Sequence, residues 1–368
     1  MLLLGNVGVL GLGTLLIGEL PRQPSKAGSL IGTALIIVGM VGGGLGLLFA
    51  LIAPRLSAEM GVLAETIGNT LLFTLGVSLT AVSLLVDQAV VGLLRADLQL
   101  WRNVIFTVVK LFALLMAGLW LAKRLGLTIY ATWLIGNMVS LAALAGFAQI
   151  GNRGTRLFRP EWALLGELRL AALGHHMLNL ALQAPGLVLP IVVTTVLSTR
   201  MNAYFYASWM IASIAAVAPV ALTTVLYAVG AADAGALANR LRLTLSLSVL
   251  SGLVASIVLL FGADFVLGLF GATYAEHAAW GLRILALGIF PLIIKNHFVA
   301  VRRIEREVMN TALFIAAGGV LELIMAASGA SAGGLAGLSL GWVLAIGIES
   351  IFMVRAVYRV AVPAISTA

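Results

Sequence analysis

The chain has 368 residues, 61% of them hydrophobic and 10% charged, with a formal net charge of +8. A soluble domain carries about 25% charged residues, so this composition excludes an ordinary globular protein and assigns the basic surplus to a membrane rather than to nucleic acid. The absence of cysteine excludes disulfides, thiolate metal sites and a cysteine nucleophile.

Apolar runs of about 20 residues mark transmembrane helices. In chain order they fall at roughly 2–19, 28–53, 67–92, 103–122 and 127–149, then 170–198, 202–228, 242–261, 278–300, 309–328 and 333–354. The expected architecture is therefore all-α and polytopic, about eleven spans in two pseudo-repeated lobes, five plus six. Residues 1–150 form the N-terminal lobe, 151–169 a cytoplasmic inter-lobe connector and 170–368 the C-terminal lobe. The start, "MLLLGNVGVLGLGTLL", lacks the positive region and small-residue cleavage site of a signal peptide.

Alternate connectors differ sharply in basic residues. One set carries 15 Lys and Arg and the other 5, leaving Lys110 and Lys295 inside spans. By the positive-inside rule the C-terminus is cytoplasmic and Met1 lies outside. Nothing in the chain would translocate Met1, so a form with one more N-terminal helix, twelve spans in two lobes of six, is expected. "RADLQLWRN" (95–103) and "RRIEREVMN" (302–310), offset by 207, echo one another between the lobes.

Ionisable groups within spans are costly and so are functional candidates. Lys110 lies eight residues past Arg102, about 12 Å deeper at ~1.5 Å per residue, and shares a stripe with Asn103 and Thr107. His175, Asn179 and Gln183 form a second stripe, flanked by His176 and followed by Pro185 and Pro190, where a kink is expected. Adjacent histidines point apart on a helix, so no metal site is read there. Asp87 lies below Thr80 and Ser83 near an inner helix end. It pairs with Lys295 across the lobes, as a gate or proton-sensitive site, or each pairs within its own lobe. Glu322 and Glu349 are candidates for ion coupling, and Arg283 for a phosphate in the outer vestibule or an interface anchor. Tyr204, Tyr206 and Trp209 read as an aromatic belt. "GMVGGGLG" (39–46) and Gly333, Gly337 and Gly341 read as ridges for close helix packing.

Four stretches resemble a known family: 11–35, 87–111, "LSTRMNAYFYASWMIASIAAVAPVALTTVLYAVGAAD" (197–233) and "FGATYAEHAAWGLRILALGIFPLIIKNHFVAVRRIERE" (270–307). They are similar to bacterial polysaccharide and O-antigen flippases of the multidrug/oligosaccharidyl-lipid/polysaccharide exporter superfamily, without the first helix of that family. The resemblance implies an inner-membrane flippase, not an enzyme, that moves a polyprenyl-pyrophosphate-linked oligosaccharide for cell-surface polysaccharide (lipopolysaccharide, O-antigen) biosynthesis. It implies no cofactor, a proton or sodium as coupling ion, membrane lipids and other polysaccharide assembly proteins as partners, and no nucleic acid. Lys110, Lys295, Arg283 and the histidines would meet the pyrophosphate, and Asn179 and Gln183 the sugars. A cation-coupled multidrug antiporter of the same superfamily and a non-transporting partner of a glycan assembly complex are the alternatives. No Gly-Lys-Ser/Thr phosphate loop and no paired-carboxylate or nucleophile–base motif appears.

Overall fold

A computed structural model describes residues 1–120, 125–151, 160–233 and 235–362. Lys123 and Arg124 of one expected connector, and 152–159 of the inter-lobe connector, lie outside these residues. The described chain is helical: α1 (Leu2–Gly8), α2 (Leu12–Arg22), α3 (Ala27–Leu56), α4 (Ile67–Gly92), α5 (Ala96–Trp120), α6 (Leu125–Gly151), α7 (Trp162–Val196), α8 (Thr199–Ala215), α9 (Val217–Ala232), α10 (Leu237–Gly268), α11 (Ala272–Leu287), α12 (Ile289–Ile304) and α13 (Val308–Ala361). Helices satisfy every backbone group internally, which is what a lipid environment demands of such apolar segments. Polar caps set two of the starts. The hydroxyls of Thr66 and Ser198 accept the backbone N–H of Asn69 and Met201, each at 3.1 Å.

Seven helices are long and apolar enough to cross a membrane alone, and three bent pairs do so jointly. Those pairs bend by 48° between α1 and α2, 46° between α8 and α9 and 43° between α11 and α12. The 54-residue α13 is two spans, because Gly333 and Gly334 leave helical geometry, Gly334 at φ 59°. Its arms, 308–332 and 335–361, return antiparallel. A Cβ on Gly337 would lie 2.1 Å from the Gly329 carbonyl oxygen, and one on Gly341 2.1 Å from that of Met325. Counting the arms separately gives eleven spans among the described residues, as the hydropathy pattern indicates. Gly333 is therefore part of the turn, not of the packing ridge. α7 runs helical through Pro185 and Pro190. The breaks fall instead at Leu10–Gly11, Ala216 and Gly288.

The chain divides into two compact units, Met1–His176 and Met177–Ala368. In the first, Val9, Leu16, Leu20, Val38, Ala81 and Leu85 form the core. Gly11, in left-handed conformation at φ 72°, lets α2 start against α7, since a Cβ there would lie 2.4 Å from the Ala172 carbonyl oxygen. Gly42 and Gly46 bring α3 onto α4, with Ser78 and Thr74 Cα atoms 3.2 and 3.1 Å from where a Cβ would sit. In the second, Leu189, Phe205, Leu282, Leu285, Trp342 and Ile346 lie in the core.

The two units repeat one pattern. Adding 207 to α1–α2, α3, α4, α5 and α6 lands on α8–α9, α10, α11–α12 and the two arms of α13, with ends agreeing to about five residues except at the longer start of α8. The break after Gly8 falls on the break after Ala215. α7 stands outside the repeat.

Candidate functional site

Three ionisable residues separated by 27 and 54 positions meet inside the second unit. Lys295 on α12 donates to Glu322 Oε1 at 2.5 Å and to Glu349 Oε2 at 2.8 Å, one glutamate from each arm of α13. Side-chain exposures of 6%, 3% and 4% put the whole group out of solvent. Trp342 Nε1 donates to Glu322 Oε2 at 2.6 Å, and the Trp342 ring meets Trp209 edge-on at 4.8 Å. Glu349 Oε1 is buried and receives no hydrogen bond. Gly318, level with Glu349 across the hairpin, leaves room for its carboxyl, since a Cβ there would lie 2.5 Å from Cδ.

The hairpin explains the assembly. Reflection about Gly333 sets Glu322 near Trp342 and Glu349 opposite Gly318, one helical turn apart. Lys295, two turns beyond the Gly288 break, lies between them. One ammonium facing two carboxylates leaves the triad a unit negative when all three are ionised. Desolvation costs several kcal/mol per buried ion, so the triad adds little net stability to the unit.

In the first unit Asp87 on α4 accepts both Nε and Nη2 of Arg102 on α5, at 2.6 and 2.5 Å. Arg102 also donates to Asn103 Oδ1 at 2.7 Å. Asp87 and Lys295 thus each take partners within their own unit, the second of the two arrangements expected from sequence. Lys110 holds Nζ 4.5 Å from the Trp133 ring and 5.8 Å from that of Phe106, a cation–π box with no carboxylate partner among the described residues. The Trp133 indole Nε1 is buried and donates to no acceptor.

The stripe on α7 is not one cluster. His175 is buried in the first unit, and His176 is half-buried beside it. Asn179 Oδ1 accepts from Arg303 Nη2 at 2.7 Å, and Gln183 donates along its own helix to the Asn179 carbonyl at 3.3 Å. Arg283 is paired with Asp264, donates to the Leu260 carbonyl and lies over Trp280. Tyr204 is buried against Tyr274 and His277, while Tyr206 is exposed.

Trp342, Arg303 and His297 carry no signal in the periodicity. His297 is fully buried, with Nδ1 2.8 Å from the Ile293 carbonyl. For Trp342 a signal exists, its position opposite Glu322 once a turn is placed at Gly333–Gly334. No group of three or more His, Asp or Glu residues that could hold a metal ion occurs among the described residues.

The sequence matches no protein-family model and no curated protein. Solved structures do match. A MATE structure in complex with MaL6 superposes with a TM-score of 0.82 at 15% identity, over 98% of this chain and 86% of that one. An inward-facing multidrug resistance MATE family transporter of the MOP superfamily gives 0.72 at 16%, over 100% and 89%. A MOP superfamily transporter from Pyrococcus furiosus, described as having a binding pocket of reverse polarity that suggests a different function, gives 0.77 at 14%, over 98% and 84%. At such identities the likeness is one of fold: this chain is a multi-pass membrane protein with the fold of MATE transporters.

Proposed function

We propose that the chain is a secondary exporter working by alternating access between its two units, and that its cargo is a polyprenyl-pyrophosphate-linked oligosaccharide carried to the outer leaflet of a bacterial inner membrane. The cytoplasmic side is that of the basic connectors and the C-terminus. The fold shared with MATE transporters supports transport, and the resemblance to polysaccharide flippases supports the cargo.

The observation that carries the reading is the sign of the span charges left over. Among the described residues, Glu19, Asp87, Asp264, Glu322 and Glu349 each contact a lysine or arginine. Lys110, inside a span, and Arg303, in the last turn of α12, instead meet rings and an amide. Cations without a carboxylate partner suit an anionic headgroup such as a pyrophosphate, and they oppose a cationic drug. The Pyrococcus furiosus transporter, with its reversed pocket polarity, is a neighbour in keeping with this reading. A cation-coupled drug antiporter is the second reading, favoured by the two carboxylates that share one lysine.

Both are tested in one proteoliposome. A fluorescent polyprenyl-pyrophosphate oligosaccharide is scored by an impermeant quencher, and ethidium by efflux. The expected result is glycolipid movement that falls about tenfold to a hundredfold in Lys110→Gln, the scale of one charge-assisted contact of ~1.5–3 kcal/mol, with no ethidium movement. Ethidium exchange without glycolipid movement overturns the reading in favour of the antiporter. If neither moves, a non-transporting partner of glycan assembly stands in its place.

A further inference from the structure

The triad contains one more carboxylate than it has cations, and one carboxylate oxygen without a donor. Glu322 has both oxygens engaged, Oε1 by Lys295 and Oε2 by Trp342. Glu349 has only Oε2 engaged, and its buried Oε1 faces no donor. One ammonium bridges the two carboxylates, Lys295 Nζ lying 2.5 Å from Glu322 Oε1 and 2.8 Å from Glu349 Oε2. Two carboxylates on one ammonium do not both ionise readily away from water, and one proton on the pair relieves the repulsion. A proton on Glu349 leaves Lys295 and Glu322 as a neutral ion pair, removing the net charge from a low-dielectric site.

Position also decides what cation the site takes. A hard metal ion needs several oxygens converging on one point. Between these glutamates that point is taken by Lys295 Nζ, at 2.5 and 2.8 Å. The remaining neighbours supply no replacement. Among the described residues, Glu349 shares its site with Lys295 from α12, at 2.8 Å, and with Glu322 from the other arm of α13, which the same lysine contacts. Arg283 of α11 is turned to Asp264 and the Leu260 carbonyl of α10, and His297 of α12 to the Ile293 carbonyl. α7 meets this arm through Pro185 at Gly319, a contact without a titratable group.

We infer that Glu349 carries a dissociable proton, and that Lys295 is a tethered cation filling the place of a metal ion, so the second unit responds to protons and not to sodium. In the step itself, one proton leaves Glu349 for water and returns from it, and no other bond changes. The inference holds whatever the cargo is, so its failure leaves the proposed substrate untouched.

Infrared difference spectra of the whole protein in nanodiscs, recorded across a pH titration in H2O and D2O, read the proton directly. The expected result is a protonated-carboxyl band that is lost in Glu349→Gln. In Lys295→Met a second carboxyl should protonate and roughly double the band. Tryptophan fluorescence, reported by Trp342 on Glu322, should not change when sodium chloride replaces choline chloride at fixed pH. A band that persists unchanged in Glu349→Gln overturns the inference, as does a saturable sodium response in the unmodified protein. Should Glu349→Gln fail to fold, Glu322→Gln decides. It leaves one carboxylate facing one lysine, so Glu349 no longer needs its proton and the band must be lost, and an undiminished band overturns the inference.

Discussion

Removing Arg102 should destabilise the first unit more than removing Arg102 and Asp87 together. The pair is bidentate at 2.6 and 2.5 Å, with side-chain exposures of 6% and 17%. Breaking a buried pair costs about 3–5 kcal/mol, because the survivor keeps its charge without its partner. Asp87 is the more exposed member, so Arg102→Met belongs at the low end, about 3 kcal/mol. Asp87→Asn leaves Arg102 the Asn103 oxygen and a new amide acceptor, so about 2 kcal/mol is expected. The double variant Asp87→Leu with Arg102→Met removes both charges and keeps apolar volume, which should cost less than ~1.5 kcal/mol. Unfolding of the detergent-solubilised protein in rising denaturant, followed by tryptophan fluorescence, measures all three. If the double variant loses the sum of the single losses, the two residues act independently and the reasoning fails.

Two further changes test the second unit. Gly337→Ala puts a methyl 2.1 Å from the Gly329 oxygen and must part the arms of α13, a loss of about 1–3 kcal/mol, whereas Gly347→Ala, with nothing within 4 Å, should stay within about 0.5 kcal/mol; equal melting temperatures for the two would refute the close crossing. Trp342→Phe keeps a ring beside Trp209 but loses the 2.6 Å bond to Glu322, an expected loss of roughly 1.5–3 kcal/mol in the same unfolding assay, and wild-type stability would show that the bond contributes nothing.

The spans were legible in the sequence because lipid asks for one thing, about 20 apolar residues, and the chain repeats it. Asp87, Lys110, Lys295, Glu322 and Glu349 were legible singly, as charges where charges are costly. Their partners were not. Arg102 reads as the marker of an inner helix end, yet a short connector, with Leu94 at φ 58°, folds it back onto Asp87. Arg303 reads the same way, yet it reaches Asn179, 124 positions earlier. Helical periodicity reports which face a residue occupies and carries no information about which helix will lie against that face. The breaks at Gly11 and Gly288 were hidden for a related reason, since the apolar pattern runs on through them.

The offset of 207 has a consequence for how the two halves came to differ. Carried back by that offset, Lys295, Glu322 and Glu349 fall on Gln88, Leu115 and Ala142; carried forward, Asp87, Arg102 and Lys110 fall on Ile294, Met309 and Ala317. These six charges each fall on a neutral side chain in the other half. The two copies of the pattern share their helices and differ in the charged groups those helices carry, so the halves are alike in scaffold and unlike in electrostatics.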